Sequence, residues 1–281
     1  MVGRPSLGAL VIAASSALVL VACASAYVPA VAEDAGAGDA ARPVEAGPAR
    51  DAATTPPTDA SADAAPSFES PCKLGTHFLC ADFDQTTFED FTRTRADSTG
   101  AVTVGSALAA SAPRAMRSTL ERRASSANDG AARAEKEITG WKHVRVGFDV
   151  QVEAPEWKSG DRPLTLATIV LNSNKEYTGT ALFMDETGSS YSVESLPSET
   201  RYVSTPAPFP IGRFFHVDVD FDADKGSVTL VVDGKSVTRP FPSIRPTGTS
   251  PLTTITVGAT VFDAPTPAFT TTYDNVVIDL P

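Results

Sequence analysis

The stretch from His216 to Gly234 reads HVDVDFDADKGSVTLVVDG. Asp218, Asp220, Asp222 and Asp224 stand two residues apart, with Val217, Val219 and Phe221 alternating among them. On an extended chain successive side chains point to opposite faces, so His216, Asp218, Asp220 and Asp222 share one side. Val217, Val219 and Phe221 then line the other. Lys225-Gly226 and Asp233-Gly234 supply turns, so the stretch reads as a strand, a hairpin turn and a return strand over Ser227–Val232. The apolar side is predicted to pack. The acids are expected to stand in water, where they would also oppose edge-to-edge pairing.

Outward from this hairpin the same pattern repeats. Before it, strands are predicted over Phe78–Asp84, Ala101–Val104, Ala115–Leu120, Ala132–Ile138, Lys142–Val152, Leu164–Leu171, Thr180–Met184 and Ser190–Ser195. Phe214–Phe221 opens the hairpin itself, and Leu252–Ala259 and Thr271–Leu280 follow it. Lys142–Val152 is the clearest: Val144, Val146, Phe148, Val150 and Val152 fall on one face, against His143, Arg145, Asp149 and Gln151. Many short strands broken by Gly, Pro and Asn-Asp turns, with little helical periodicity, predict an all-β sandwich or barrel. No internal repeat is visible.

Here the sequence resembles a known family. GRFFHVDVDFDADKGSVTLVVDGKSV is similar to the hallmark hairpin of concanavalin A-like (laminin G-like) jelly rolls, an aromatic-led strand, a polar turn and a strand ending in DG. TTITVGATVFDAPTPAFTTTYDNVVIDLP resembles the family's last two strands, and FLCADFD its opening strand, which pairs near the C-terminal one. The resemblance covers residues 72–281 and implies an antiparallel two-sheet sandwich. It also implies a structural calcium option near the terminal strands, for which Asp84, Asp274 and Asn275 are the candidate ligands; no cofactor is otherwise required. That fold hosts lectins, hydrolases, lyases and adhesive modules, so it leaves the function open.

Residues two apart on a strand lie about 6.5–7 Å apart, within range of the roughly 6.5–9.5 Å between the carboxyls of inverting glycosidases. Jelly-roll glucanases, however, carry two glutamates and an aspartate on one strand, and the row has no glutamate. Counted as a calcium loop from Asp220, it puts Lys225 where glycine belongs and Val231 where the bidentate glutamate belongs. His77, His143 and His216 form no metal-ligand spacing, and no G-x-S-x-G elbow occurs. Arg133-Ala134-Glu135 is similar to the R-x-E strand of alginate-lyase-like jelly rolls, but the companion Q-[IV]-H and Y-x-K motifs are missing. Sugar binding needs exposed aromatic platforms, for which Trp157, Tyr177, Tyr191 and Tyr202 are the candidates.

The ends of the chain address its location. Arg4 followed by a mainly apolar run from Leu7 to Ala22 reads as an export signal; a transmembrane anchor is the rival, against which stand the small residues in the run and the lack of a basic cluster after it. Leu20-Val21-Ala22-Cys23 resembles a bacterial lipobox, which would acylate Cys23; Ala24-Ser25-Ala26 offers ordinary secretory cleavage instead. Residues 1–22 therefore read as a lipoprotein signal peptide and 23–70 as an Ala/Asp/Pro-rich tether too poor in large apolar residues to fold. Residues 71–281 read as the sandwich. Two acyl chains hold a protein at a membrane stably, so the expected location is the cell envelope, in particular the outer membrane. Cys72 and Cys80, in an exported chain, are expected to form a disulfide. A net charge of −11 over 281 residues, with scattered lysines and arginines, argues against nucleic-acid partners.

The sequence thus predicts a lipid-anchored β-sandwich whose partners are the membrane and a polysaccharide or envelope glycan. Its expected role is non-catalytic glycan binding or a structural, adhesive one. A jelly-roll polysaccharide hydrolase or lyase is the alternative, and a protein–protein scaffold a third.

Overall fold

Fifteen strands are found among the described residues of the computed structural model, which are 70–84, 87–106, 108–111, 113–124, 130–173, 176–196, 199–240, 251–262 and 265–281. For 173, 176–177, 190, 193–196 and 199–202 only the backbone is described. The expected signal peptide, Cys23 and nearly all of the expected tether lie outside these residues. After a 3-10 turn at Pro71–Lys73 come β1 (Leu79–Ala81), β2 (Arg93–Ala96), β3 (Gly100–Gly105), β4 (Ala115–Leu120) and β5 (Gly130–Thr139). Next are β6 (His143–Val152), β7 (Leu164–Ser173), β8 (Glu176–Asp185), β9 (Gly188–Leu196) and β10 (Glu199–Ser204). The chain finishes with β11 (Phe214–Asp222), β12 (Ser227–Val232), β13 (Lys235–Pro240), β14 (Leu252–Val261) and β15 (Phe269–Asp279).

These strands form two antiparallel sheets. One runs β13-β12-β11-β6-β15-β4-β3, with β1 also on β15; the other runs β10-β9-β8-β7-β14-β5-β2. Alternation in the sequence is what selects the buried faces. In β6, Val144, Val146, Phe148, Val150 and Val152 are all at most 2% exposed. Val217, Val219 and Phe221 of β11 lie beside them, and Ile255, Val257 and Ala259 of β14 meet them from the other sheet. Two hydroxyls stitch the layers together. Tyr273 of β15 donates to the Leu166 carbonyl of β7 at 2.8 Å. Ser118 of β4 donates to the Ala132 carbonyl of β5 and accepts the Ala259 amide of β14 at 2.9 Å.

The opening strand pairs with the last one, with Leu79, Cys80 and Ala81 opposite Ile278, Val277 and Val276. The Cys72–Cys80 disulfide closes the loop ahead of it, and His77 binds Asp279 at 2.9 Å, so the N-terminal strand is held at three points. β15 changes partner midway. Phe269–Tyr273 pair with β4, whereas Val276–Ile278 pair with β1. Between them, at Asp274–Asn275, the pairing with β6 also shifts register, and Asn275 takes a left-handed φ of 51°.

One expectation about the opening hairpin is corrected. β11 lies between β6 and β12, inside its sheet, so its acids guard no edge.

Candidate functional site

The aspartate row stands on the outer face of the eight-stranded sheet, but it is not merely wetted. Pairing of β11 with β6 sets His216 opposite Asp149, Asp218 opposite Gly147, Asp220 opposite Arg145 and Asp222 opposite His143. Each acid meets a cation. Asp220 binds His143 at 2.8 Å and Arg145 at 2.7 Å. Asp222, 5% exposed, binds Lys225 at 2.8 Å and accepts the Lys225 amide at 2.9 Å. Its burial raises its pKa, but the Lys225 contacts outweigh that and hold the carboxyl below the usual range. His216 is gripped by Asp149 at 2.8 Å and Asp218 at 3.2 Å. Gly147 leaves the notch for them, since a Cβ there would meet Asp218 Oδ1 at 2.8 Å. These two hydrogen bonds raise the imidazole to about 10 against the burial that lowers it, so both ring nitrogens carry protons at neutral pH. A cation fixed between two carboxylates neither donates nor accepts readily. The row is a charge lattice that staples strands, without the free carboxylate pair hydrolysis requires.

The Asp274–Asn275 bulge is also internally satisfied. Asp274 accepts the Ser111 amide at 2.6 Å, the Ser111 hydroxyl at 3.0 Å and the Asn275 amide at 2.8 Å. Asn275 accepts the same hydroxyl at 2.9 Å and donates to Asp149 at 2.7 Å. Burial raises Asp274 to about 6; the hydrogen bonds from Ser111 and Asn275 oppose the rise and the nearby Asp149 charge adds to it. The third calcium candidate, Asp84, accepts no contact from this group; its Oδ1 is buried without a hydrogen-bond partner among the described residues. Among those residues no three His, Cys, Asp or Glu are placed to hold a metal ion. The donors that the calcium option needs are committed to the place where β15 exchanges β4 for β1, and we derive no step through a cation there.

The outer face of the seven-stranded sheet has a different chemistry. Its register aligns Arg93, Glu135, Thr256, Thr168, Ala181, Ser192 and Tyr202 in one row across the strands. The next row places Arg95, Arg133 and Gly258 side by side. Arg93 and Arg133 close on Glu135 from both sides, Arg133 Nε at 2.6 Å, and Arg93 also reaches Glu137 at 2.9 Å. The Glu135 side chain is 2% exposed. Burial pushes its pKa up, but the bond from Arg93 and the charge and bond of Arg133 overcome this and hold it low. Arg133 further donates to the Thr260 hydroxyl at 3.3 Å. Gly258, with a φ of 127°, is required where β14 meets β5, because a Cβ would lie 2.5 Å from the Ala132 carbonyl. Arg95 is exposed, with no ion-pair partner among the described residues. Three guanidiniums against two carboxylates leave this margin with one positive charge, in a chain of net charge −11.

Two of the four aromatic candidates for sugar stacking, Tyr191 and Trp157, have described side chains. Tyr191 is 0% exposed, because the pairing of β9 sets it opposite Leu182 and Val203 on the inward face. That corrects its assignment as a platform. Trp157 is half-buried, packed against the core beside β6. Tyr177 pairs with Asn172 and Tyr202 with Ser192, and only their backbones are described. The sequence marks Arg133 and Glu135 through the R-x-E pattern without making them site residues, and it gives no sign of Arg93 and Arg95. Their strand, Arg93–Ala96, is exposed throughout and so lacks the alternation that betrays a strand.

No protein-family model matches the sequence, and no curated protein matches it. Solved structures do match in fold. An endo-β-1,4-glucuronan lyase from the fungus Trichoderma reesei superposes with a TM-score of 0.55 at 13% identity, covering 73% of this chain and 96% of the lyase. A cellulose-induced protein gives 0.49 at 13% identity, covering 72% and 97%. An alginate lyase from Pseudomonas aeruginosa gives 0.44 at 12% identity, covering 59% and 83%. The expectation of a non-catalytic glycan-binding or adhesive sandwich is corrected: the fold is that of the glucuronan lyase, which fits the enzyme alternative better. The antiparallel sheets and the paired terminal strands make this chain a concanavalin A-like jelly roll, the fold it shares with the glucuronan lyase.

Proposed function

We propose that this protein is a polysaccharide lyase of the jelly-roll type, working on a uronate polymer at the outer face of its seven-stranded sheet. The observation that carries the reading is the arginine margin. Arg93 and Arg133 are locked by the buried Glu135, while Arg95 stands exposed beside Arg133. Locked guanidiniums present donors without paying reorganisation, which is what stabilising a developing charge demands. In β-elimination a uronate carboxylate is neutralised, the proton on the adjacent carbon passes to a base, and its electron pair becomes the new double bond. The bond to the leaving sugar oxygen breaks in the same direction, and that oxygen takes up a proton. Arg95 and Arg133 are assigned the neutralising role. Glu135, ionised and doubly paired, is a poor proton acceptor. Thr256 and Thr260 beside it are not bases, so the proton acceptor is left unassigned. The fold shared with a glucuronan lyase makes β-1,4-glucuronan the first substrate to offer, and alginate the second.

The test is direct. Incubation of the purified chain with either polymer should raise the ultraviolet absorbance of the unsaturated uronate product. Arg133→Ala and Arg95→Ala should each lower the rate by about 100-fold or more, the usual cost of losing one preorganised charge-stabilising donor. A folded chain that yields no unsaturated product from any uronate polymer would refute the assignment. On the sequence pattern alone, we place the activity at the cell envelope, exported and acylated at Cys23, with residues 23–70 as the tether.

A further inference from the structure

A second recess lies on the other sheet, away from the arginine margin. Between β3, β4 and β15 a cavity of about 300 Å³ opens on the outer face. Its floor is Thr272 and Ala115, exposed by only 3% and 1%. Its walls are Thr103, Ser106, Leu108 and Arg117. Register explains the grouping, since Thr103, Arg117 and Thr272 stand in one row across the three strands. Its mouth-side wall is steadied by Ser111, three residues beyond Leu108, which hooks onto Asp274 and Asn275.

We propose that this cavity binds a neutral pyranose unit of a glycan. The volume is at the lower end of small-molecule sites, suited to one or two sugar rings. Walls and floor together offer three hydroxyls and one guanidinium to a ring's hydroxyls, and the Leu108 side chain, 41% exposed, to its apolar face. Charge selects a neutral sugar over a uronate. Arg117 is already neutralised by Glu153 at 2.8 Å. Farther along this face His216, Arg145 and Lys225 are held in ion pairs by Asp149, Asp218, Asp220 and Asp222, so they offer no spare cation to a carboxylate.

Gly105 makes the site testable. A Cβ at Gly105 meets nothing within 4 Å, so Gly105→Leu can fill the mouth without straining the strand. Amide chemical shifts of the full mature chain would be followed during titration with cellobiose, and separately with glucuronate. Cellobiose should shift the amides around Thr103, Ala115 and Thr272 saturably. Arg117→Gln should weaken binding about tenfold, the loss of one charge-assisted hydrogen bond. Gly105→Leu should abolish it, and Arg133→Ala on the other sheet should leave it unchanged. Thr103→Ala, which removes one wall hydroxyl, provides the check should Gly105→Leu not fold. No saturable shift with cellobiose, a preference for glucuronate, or full binding by Gly105→Leu would overturn the assignment. The lyase reading would survive any of these results, because its assay reads the opposite sheet.

Discussion

Replacing Ser118 with alanine should cost far more than the loss of one hydroxyl suggests. Ser118 belongs to β4 in one sheet, but its hydroxyl bridges the Ala132 carbonyl and the Ala259 amide in the other, two groups that face each other in register. All three residues are fully buried. Alanine would therefore strand one backbone acceptor and one backbone donor out of reach of water. Each costs roughly 1–2 kcal/mol, so the sum is about 2–4 kcal/mol. For a β domain of this size, with a urea slope of about 3 kcal/mol/M, the midpoint should fall by about 1 M. Equilibrium unfolding followed by the fluorescence of Trp141 and Trp157 would read it. Because β5 and β14 also carry Arg133, Glu135 and Gly258, the same variant should lose lyase activity in the folded state. A midpoint within about 0.2 M of the parent, at unchanged slope, would show that the hydroxyl does not satisfy those groups and that the cross-sheet reasoning fails.

Other outcomes follow from the same geometry. Reducing Cys72–Cys80, which closes a short loop of sequence separation 8, should destabilise by roughly 2–3 kcal/mol in the chain-entropy model; unchanged urea midpoints with and without reductant would argue otherwise. His216 has its folded pKa raised from 6.5 to about 10, so its stabilisation is whole below about pH 6.5 and disappears as pH climbs through about 10. With 44% of its side chain in solvent, screening limits that to about 1 kcal/mol, and His216→Gln should flatten the decline in stability between those pH values; parallel profiles for parent and variant would remove the ion pair from the account. Cys23→Ser should prevent incorporation of a clickable palmitate and release the chain from the membrane fraction, whereas retained label would place the acyl group elsewhere.

Much of the architecture could be read from alternation alone. Val144 through Val152 on β6 and Val217 through Phe221 on β11 announce strands because each buries one face, and burial is what imposes period two on a sequence. The three strands that alternation missed, β2, β10 and β13, are all edge strands. Arg93–Ala96 is wholly exposed and Lys235–Pro240 nearly so, so nothing constrains their composition to alternate. The disulfide was legible because Cys72 and Cys80 stand close together in the sequence with too few neighbouring ligands for a metal site. The fate of individual side chains was not. Tyr191 reads like a surface aromatic among serines, yet one step of register points it into the core.

The sequence by itself therefore determined that oily and polar residues alternate in strands that stack as two sheets. The tertiary structure decided which strands became neighbours, and the chemistry depends on that. Arg93 and Glu135 are 42 residues apart, Ser111 and Asp274 are 163 apart, and no local pattern relates them. Local spacing fixes which face a residue takes, whereas only the order and register of the strands bring distant charges within hydrogen-bonding reach.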